Sequence, residues 1–135
     1  MRPRLTLCKV LVRKLHSNAI ATEHNHVSIR VATRDDLDLA ANEMPDQLCK
    51  RFVEAAMSRG DICLAAFHGG QLLSFVWRSF TTAPHCDGVW VRVERPYWYT
   101  YKTFTRPDFR GLRLSGLLTA TTFVAIADIG AASAS

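Results

Sequence analysis

The run Arg110-Gly111-Leu112-Arg113-Leu114-Ser115-Gly116 carries the densest chemical information in the chain. It follows a Tyr- and Thr-rich stretch, Tyr97 to Thr105, and precedes an amphipathic one. A strand, a tight basic turn and a helix start leave the first helical amides without partners inside the helix, pointing outward beside the positive end of its dipole. Arg110 and Arg113 add charge at the same place. The chemistry such a turn performs is gripping a diphosphate.

The other reactive side chains form no comparable pattern. Cys8, Cys49, Cys63 and Cys86 lie far apart with no Cys-x-x-Cys pair, which argues against a zinc ribbon or a redox pair and for reduced thiols in a cytoplasmic protein. His24 and His26 form a lone His-x-His and His85 adjoins Cys86. A metal site needs three or four converging ligands, so none is expected.

The elements that must position the turn are legible from periodicity. Val27 to Val31 is a β-branched strand. Thr33, with Asp36 three residues later, makes a capping box for a first helix running to about Asn42. Pro45 suits the first turn of a second helix, in which Leu48, Phe52 and Ala56 recur at helical spacing and Gly60 supplies the stop. Ile62 to Phe67 is an apolar strand, Gly69-Gly70 a tight hairpin, and Leu72 to Phe80 the returning strand. Thr81 to Gly88 reads as loop and Val89 to Val93 as a short strand or a decorated loop. From Tyr97 the odd positions Tyr97, Tyr99, Tyr101, Thr103 and Thr105 would share one face of a strand that Pro107-Asp108 ends. Leu114, Leu117, Leu118, Thr121 and Ala125 then follow the spacing of a helix packed on a sheet, ending at Gly130.

At 135 residues, with 48% hydrophobic and 21% charged residues, the chain is expected to be one globular domain. Its net charge of +5 resides in the leader: Arg2, Arg4, Lys9, Arg13 and Lys14 precede the first acid, Glu23. The body is balanced and lacks the continuous basic face of a nucleic-acid-binding domain, so no nucleic-acid partner is expected. Residues 1–26 read as a disordered basic leader rather than a transit peptide or surface helix. No stretch approaches the length of a membrane span, and no membrane partner is expected.

The order strand, two helices, hairpin, strand, basic glycine turn, helix resembles the first two thirds of the GNAT acetyltransferase superfamily. The residues carrying the resemblance are Thr105-Arg106-Pro107-Asp108-Phe109-Arg110-Gly111, followed by Leu112-Arg113-Leu114-Ser115-Gly116-Leu117-Leu118. Arg110 stands at the opening position of that superfamily's Arg/Gln-x-x-Gly-x-Gly/Ala loop. Arg113 stands where the family has Gly, and Ser115 where it has Gly or Ala. The resemblance, over Val27 to Gly130, implies an α/β (α+β) fold, with a mixed, mostly antiparallel sheet flanked by helices in the order β-α-α-β-β-β-α. Residues 27–130 would be the domain and 131–135 a tail.

It also implies acetyl-CoA as acyl donor to a small-molecule or peptide amine. The pyrophosphate would lie on Arg110, Gly111, Leu112, Arg113, Leu114, Ser115 and Gly116, and the pantetheine arm on the backbone of Phe104 and Thr105. Direct attack by a neutral amine needs a base, and the leaving thiolate an acid. Glu94, the sole acid between Asp87 and Asp108, and Tyr99 and Tyr101 are the candidates. A solvated charge and amphipathic packing are the plain alternatives for them. The family continues with a further strand, a helix and two more strands where this chain stops at Ser135. The domain is therefore expected to be C-terminally incomplete: a truncated or frame-shifted reading, a sheet completed by a partner chain or a second copy, or a domain that binds without catalysing.

Overall fold

The computed structural model describes residues 27–86, 88–94, 97–114, 116–119 and 121. The expected leader, the 122–130 part of the expected last helix, the tail, and Asp87, Arg95, Pro96, Ser115 and Ala120 lie outside the described residues.

The two central strands are apolar on both sides, as strands covered on both faces must be. β2 (Ile62–His68) buries every residue from Cys63 to Phe67, and β3 (Gln71–Ser79) every residue from Leu72 onward. Gly69 and Gly70, both at positive φ (55° and 79°), make the two-residue turn whose twist matches an antiparallel pair. β1 (Ser28–Val31) pairs with the outer edge of β2, and β6 (Tyr99–Thr105) with β3, giving an antiparallel sheet in the order β1-β2-β3-β6. The fold is mixed α+β, an antiparallel sheet flanked by helices.

Between β1 and β2 come α1 (Arg34–Glu43) and α2 (Lys50–Ser58). The capping box forms: Asp36 N donates to Thr33 Oγ1 at 3.2 Å and Thr33 N to Asp36 Oδ2 at 2.8 Å. Arg30 on β1 adds a charged hydrogen bond to the same carboxylate. Together these hold Asp36 far below the usual carboxylate range, the Arg30 hydrogen bond foremost. At the far end of α2, Gly60 (φ 82°) sits between a 3.0 Å bond from its own amide to Met57 O and one of 3.1 Å from Asp61 N to Ala56 O, a Schellman stop.

Pro45 does not begin α2. Met44 O accepts from both Gln47 N and Leu48 N, closing a separate turn over 45–47. Cys49 is extended (φ −87°, ψ 150°) and caps α2, its Sγ accepting from Phe52 N at 3.4 Å. Leu48 is buried as an anchor beneath the turn rather than as part of the helix.

Thr81 to Gly88 is not all loop either. β4 (Thr82–Cys86) and β5 (Val89–Arg92) form a separate two-stranded hairpin inserted before β6. Pro84 hides this strand from a reading by composition, because proline is tolerated only where a strand has a free edge, as here.

The face expectation for β6 fails at one residue. Trp77 pairs with Lys102 and Arg78 with Thr100, so Tyr101 is an extra, bulged residue. The alternation resets there. Tyr101 and Phe104 both pack against the α1/α2 face of the sheet, whereas Thr103 and Thr105, paired with Val76 and Ser74, lie on the other. Residues 97 and 98 precede the strand.

The two faces have separate cores. Leu37, Ala40, Leu48, Val53 and Ala56 from the helical region meet Ala65, Phe67, Phe75 and Trp77 on the first. On the second, Leu64, Ala66 and Val76 receive Leu118 from the last helical segment, which includes residues 114 and 116–119, with Val27, Ile29 and Val31 alongside. Arg106 fastens the end of β6. Its amide donates to Leu73 O (2.9 Å), its Nε to Leu72 O (2.6 Å) and its Nη2 to Glu43 Oε2 on α1 (2.7 Å).

Candidate functional site

After β6 the chain makes a 3₁₀ turn, Pro107–Phe109, ended by a 3.3 Å bond from Arg110 N to Pro107 O. Two residues at positive φ then reverse it: Gly111 at 87° and Arg113 at 57°. Arg113 is the single non-glycine residue in that region among the described residues. The position where the resemblance calls for glycine thus keeps glycine's conformation with an arginine in it, at a cost of about 1 kcal/mol. The amides of Gly111, Leu112 and Arg113 make no hydrogen bond among the described residues. Arg113 O accepts from Leu117 N at 3.1 Å, which makes Arg113 the residue that starts the last helical segment, with Leu114 buried behind it. Gly111, Leu112, Arg113 and Gly116 are exposed.

The turn opens into a groove of about 390 Å³ along the second face of the sheet. Ser74, Val76 and Arg78 of β3, Thr100, Thr103 and Thr105 of β6, Arg110, and Thr119 of the last helical segment line it. Phe75 and Phe104 also border it. Their rings meet at a tilt, 5.7 Å apart, within the first-face core, so toward the groove they present main chain. Ser74 Oγ ties the two strands, donating to Phe104 O at 2.9 Å and lying 2.8 Å from Thr105 Oγ1. Arg110 Nε donates to Thr105 O at 3.3 Å, which holds its exposed side chain over the end of β6. Arg78, at the other end, is 4% exposed, and burial pushes its pKa down to about 10, leaving it cationic at neutral pH. The groove is thus a hydroxyl-lined slot with an arginine toward each end, and no described residue lining it is an acid.

The structure therefore brings together Phe104, Thr105 and Arg110 with the exposed turn residues. It does not bring Glu94, Tyr99 or Tyr101 to the groove. Glu94 is exposed beyond β5, 3.5 Å from Arg92. Tyr99 lies at the start of β6, paired with Ser79. Tyr101 is turned to the opposite face by the bulge, where its hydroxyl donates to Asp61 Oδ2 at 2.8 Å. Burial, and then the bond to Asp61, hold this phenol well above the usual tyrosine range. Arg59 completes the cluster with Nη2 3.1 Å from Asp61 Oδ2, its guanidinium carbon 5.5 Å from the ring centre of Trp90 and 5.9 Å from that of Tyr101.

Sequence reasoning missed Ser74 and Arg78. The available signal was a charge inside an otherwise apolar strand, since arginine is almost never buried without a reason. Among the described residues no three His, Cys, Asp or Glu cluster as metal ligands, and no helix is long and apolar enough to cross a membrane.

No protein-family model matches the chain, and no curated protein matches it. Among solved structures, the chain is similar to a transcriptional regulator from Bacillus halodurans C-125. The identity is 20%, over 76% of this chain and 73% of that one, with a TM-score of 0.45.

Proposed function

We propose that this protein is an acyl-CoA-dependent N-acyltransferase of GNAT type, moving an acetyl group from acetyl-CoA to a small-molecule or peptide amine in the cytoplasm. One observation carries the reading: the exposed residues 111–113, whose amides make no hydrogen bond among the described residues, follow directly on Arg110, which lines the groove beside β6. A diphosphate on the turn and an extended arm along Phe104 and Thr105 suit that continuity. Rate enhancement would come chiefly from holding thioester and amine together. Arg113 and Arg110 would supply paired donors for phosphate oxygens.

Calorimetric titration with coenzyme A tests the binding half. Arg110→Ala and Arg113→Ala are each expected to weaken binding about tenfold at low salt, the worth of one charge-assisted contact. An unchanged affinity in both removes the turn from the site. Thiol release that depends on an added amine tests catalysis.

A second reading, a CoA-binding or interaction module without turnover, is favoured by the distance of Glu94, Tyr99 and Tyr101 from the groove. Coenzyme A binding with no amine-dependent thiol release across a panel of amines selects it. In either case β6 is an edge strand among the described residues, and a second copy or partner chain is proposed to complete the sheet there. A concentration-independent monomer in sedimentation velocity argues against that pairing.

A further inference from the structure

The groove has an arginine toward each end, and on the acyl-CoA reading a diphosphate would occupy only the end at Arg110. Thr105 and Thr100 mark the ends along β6, roughly 15 Å apart at the rise of a strand. That is the scale of an extended arm, with the reacting carbonyl toward Thr100. Opposite Thr100 in register stands Arg78. Arg78 is 4% exposed and lines the cavity, and no described residue lining that cavity is an acid. The residues sharing the cavity with it are hydroxyls and one valine: Ser74, Val76, Thr100 and Thr103. Arg78 also interacts within the protein. Its five N–H donors in a planar fork allow more than one partner, and a fork of that shape suits a carboxylate best.

We propose that Arg78 receives a carboxylate carried by one of the reactants at the acyl end of the groove, so that the reaction is one of an acidic substrate. This deepens the acyl-CoA reading of the groove and rests on it. The carboxylate has two sources: the far end of a dicarboxylic acyl group on the donor, or the carboxyl of an amino-acid acceptor. The bond changes are the same in both. The acceptor nitrogen bonds to the thioester carbonyl carbon, the carbon–sulfur bond breaks, and the thiol leaves with the proton that the amine gives up.

The experiment is calorimetric titration of the full chain in two arms, with Arg78→Met and Arg78→Lys alongside the parent. In the donor arm, succinyl-CoA is compared with acetyl-CoA. In the acceptor arm, with coenzyme A at saturation, an α-amino acid is compared with its amide. The proposal expects a preference of tenfold or more for the carboxylate-bearing ligand in one arm. Arg78→Met should reduce it to within twofold and Arg78→Lys to an intermediate value, the lysine variant serving where the methionine one does not fold. The arm that shows the preference names the source. Coenzyme A binding without carboxylate preference in either arm overturns this proposal and leaves the acyl-CoA reading standing. Failure of coenzyme A itself to bind removes that reading and this proposal with it.

Discussion

The two faces of the sheet are built from the same strands and serve opposite ends. On the α1/α2 face, Trp77 meets Phe52 edge-on at 5.5 Å and Tyr101 at 6.3 Å, and Phe67, Phe75, Val53 and a set of leucines and alanines pack around them. On the other face the apolar cluster is small, and beside it β3 and β6 turn serine, threonines and an arginine toward a groove. A sheet with one closely packed side can leave the other partly open for a ligand. The stability of this protein is therefore expected to reside in one face and its chemistry in the other.

The widest separation of the two comes from Trp77→Ala. Removing a wholly buried indole from the packed face should cost about 3–5 kcal/mol and abolish cooperative thermal melting, monitored by circular dichroism. Retention of a sharp transition within a few degrees of the parent would mean that this face is not the stabilising one.

Tyr101→Phe should cost about 1–3 kcal/mol in urea unfolding, because Asp61, whose side chain is fully buried, loses its 2.8 Å donor. The phenol's pKa is raised in the folded state. Its contribution is thus complete below the ordinary tyrosine value near 10 and is lost as pH rises past it. The same variant should leave coenzyme A affinity unchanged, since the hydroxyl lies on the face away from the groove.

Asp36→Ala removes a capping carboxylate and the Arg30 pair at once, at about 1–2 kcal/mol. Here the folded pKa is depressed, so the stability is present above the ordinary carboxylate value near 4 and is lost as pH falls below it. In an acid titration followed by circular dichroism, the parent and variant curves should converge toward low pH. Arg113→Gly should gain about 0.5–1 kcal/mol by relieving the left-handed backbone, while weakening coenzyme A binding through loss of the charge. Smallest of all, Thr103→Val on the groove face should change stability by less than about 0.5 kcal/mol.

What sequence reasoning reached, and where it stopped, follows the same division. Local signals held: Thr33 with Asp36, Gly60, and Gly69-Gly70 act within a few residues, and each does what its chemistry dictates. The turn at Arg110 and Gly111 was legible for the same reason. The misses are tertiary. The Tyr101 bulge exists because β6 must match β3 across the sheet, and no periodicity within 97–105 announces it. The β4–β5 hairpin is concealed by Pro84 and His85, poor strand signals overridden by pairing with Trp90 and its neighbours. Arg78 becomes part of a site only when β6 and the last helical segment wall in the space beside it. Asp61 and Arg59, close in sequence, acquire meaning from a tyrosine some forty positions later.

Arg106 gives the turn a fixed origin. It clamps the chain to Leu72, Leu73 and Glu43 immediately before the 3₁₀ turn, so a loop that closes on a ligand must pivot after residue 106 rather than drag the strand with it. Amide exchange at the end of α1, on the fixed side of that clamp, should therefore stay the same whether the turn is occupied or empty.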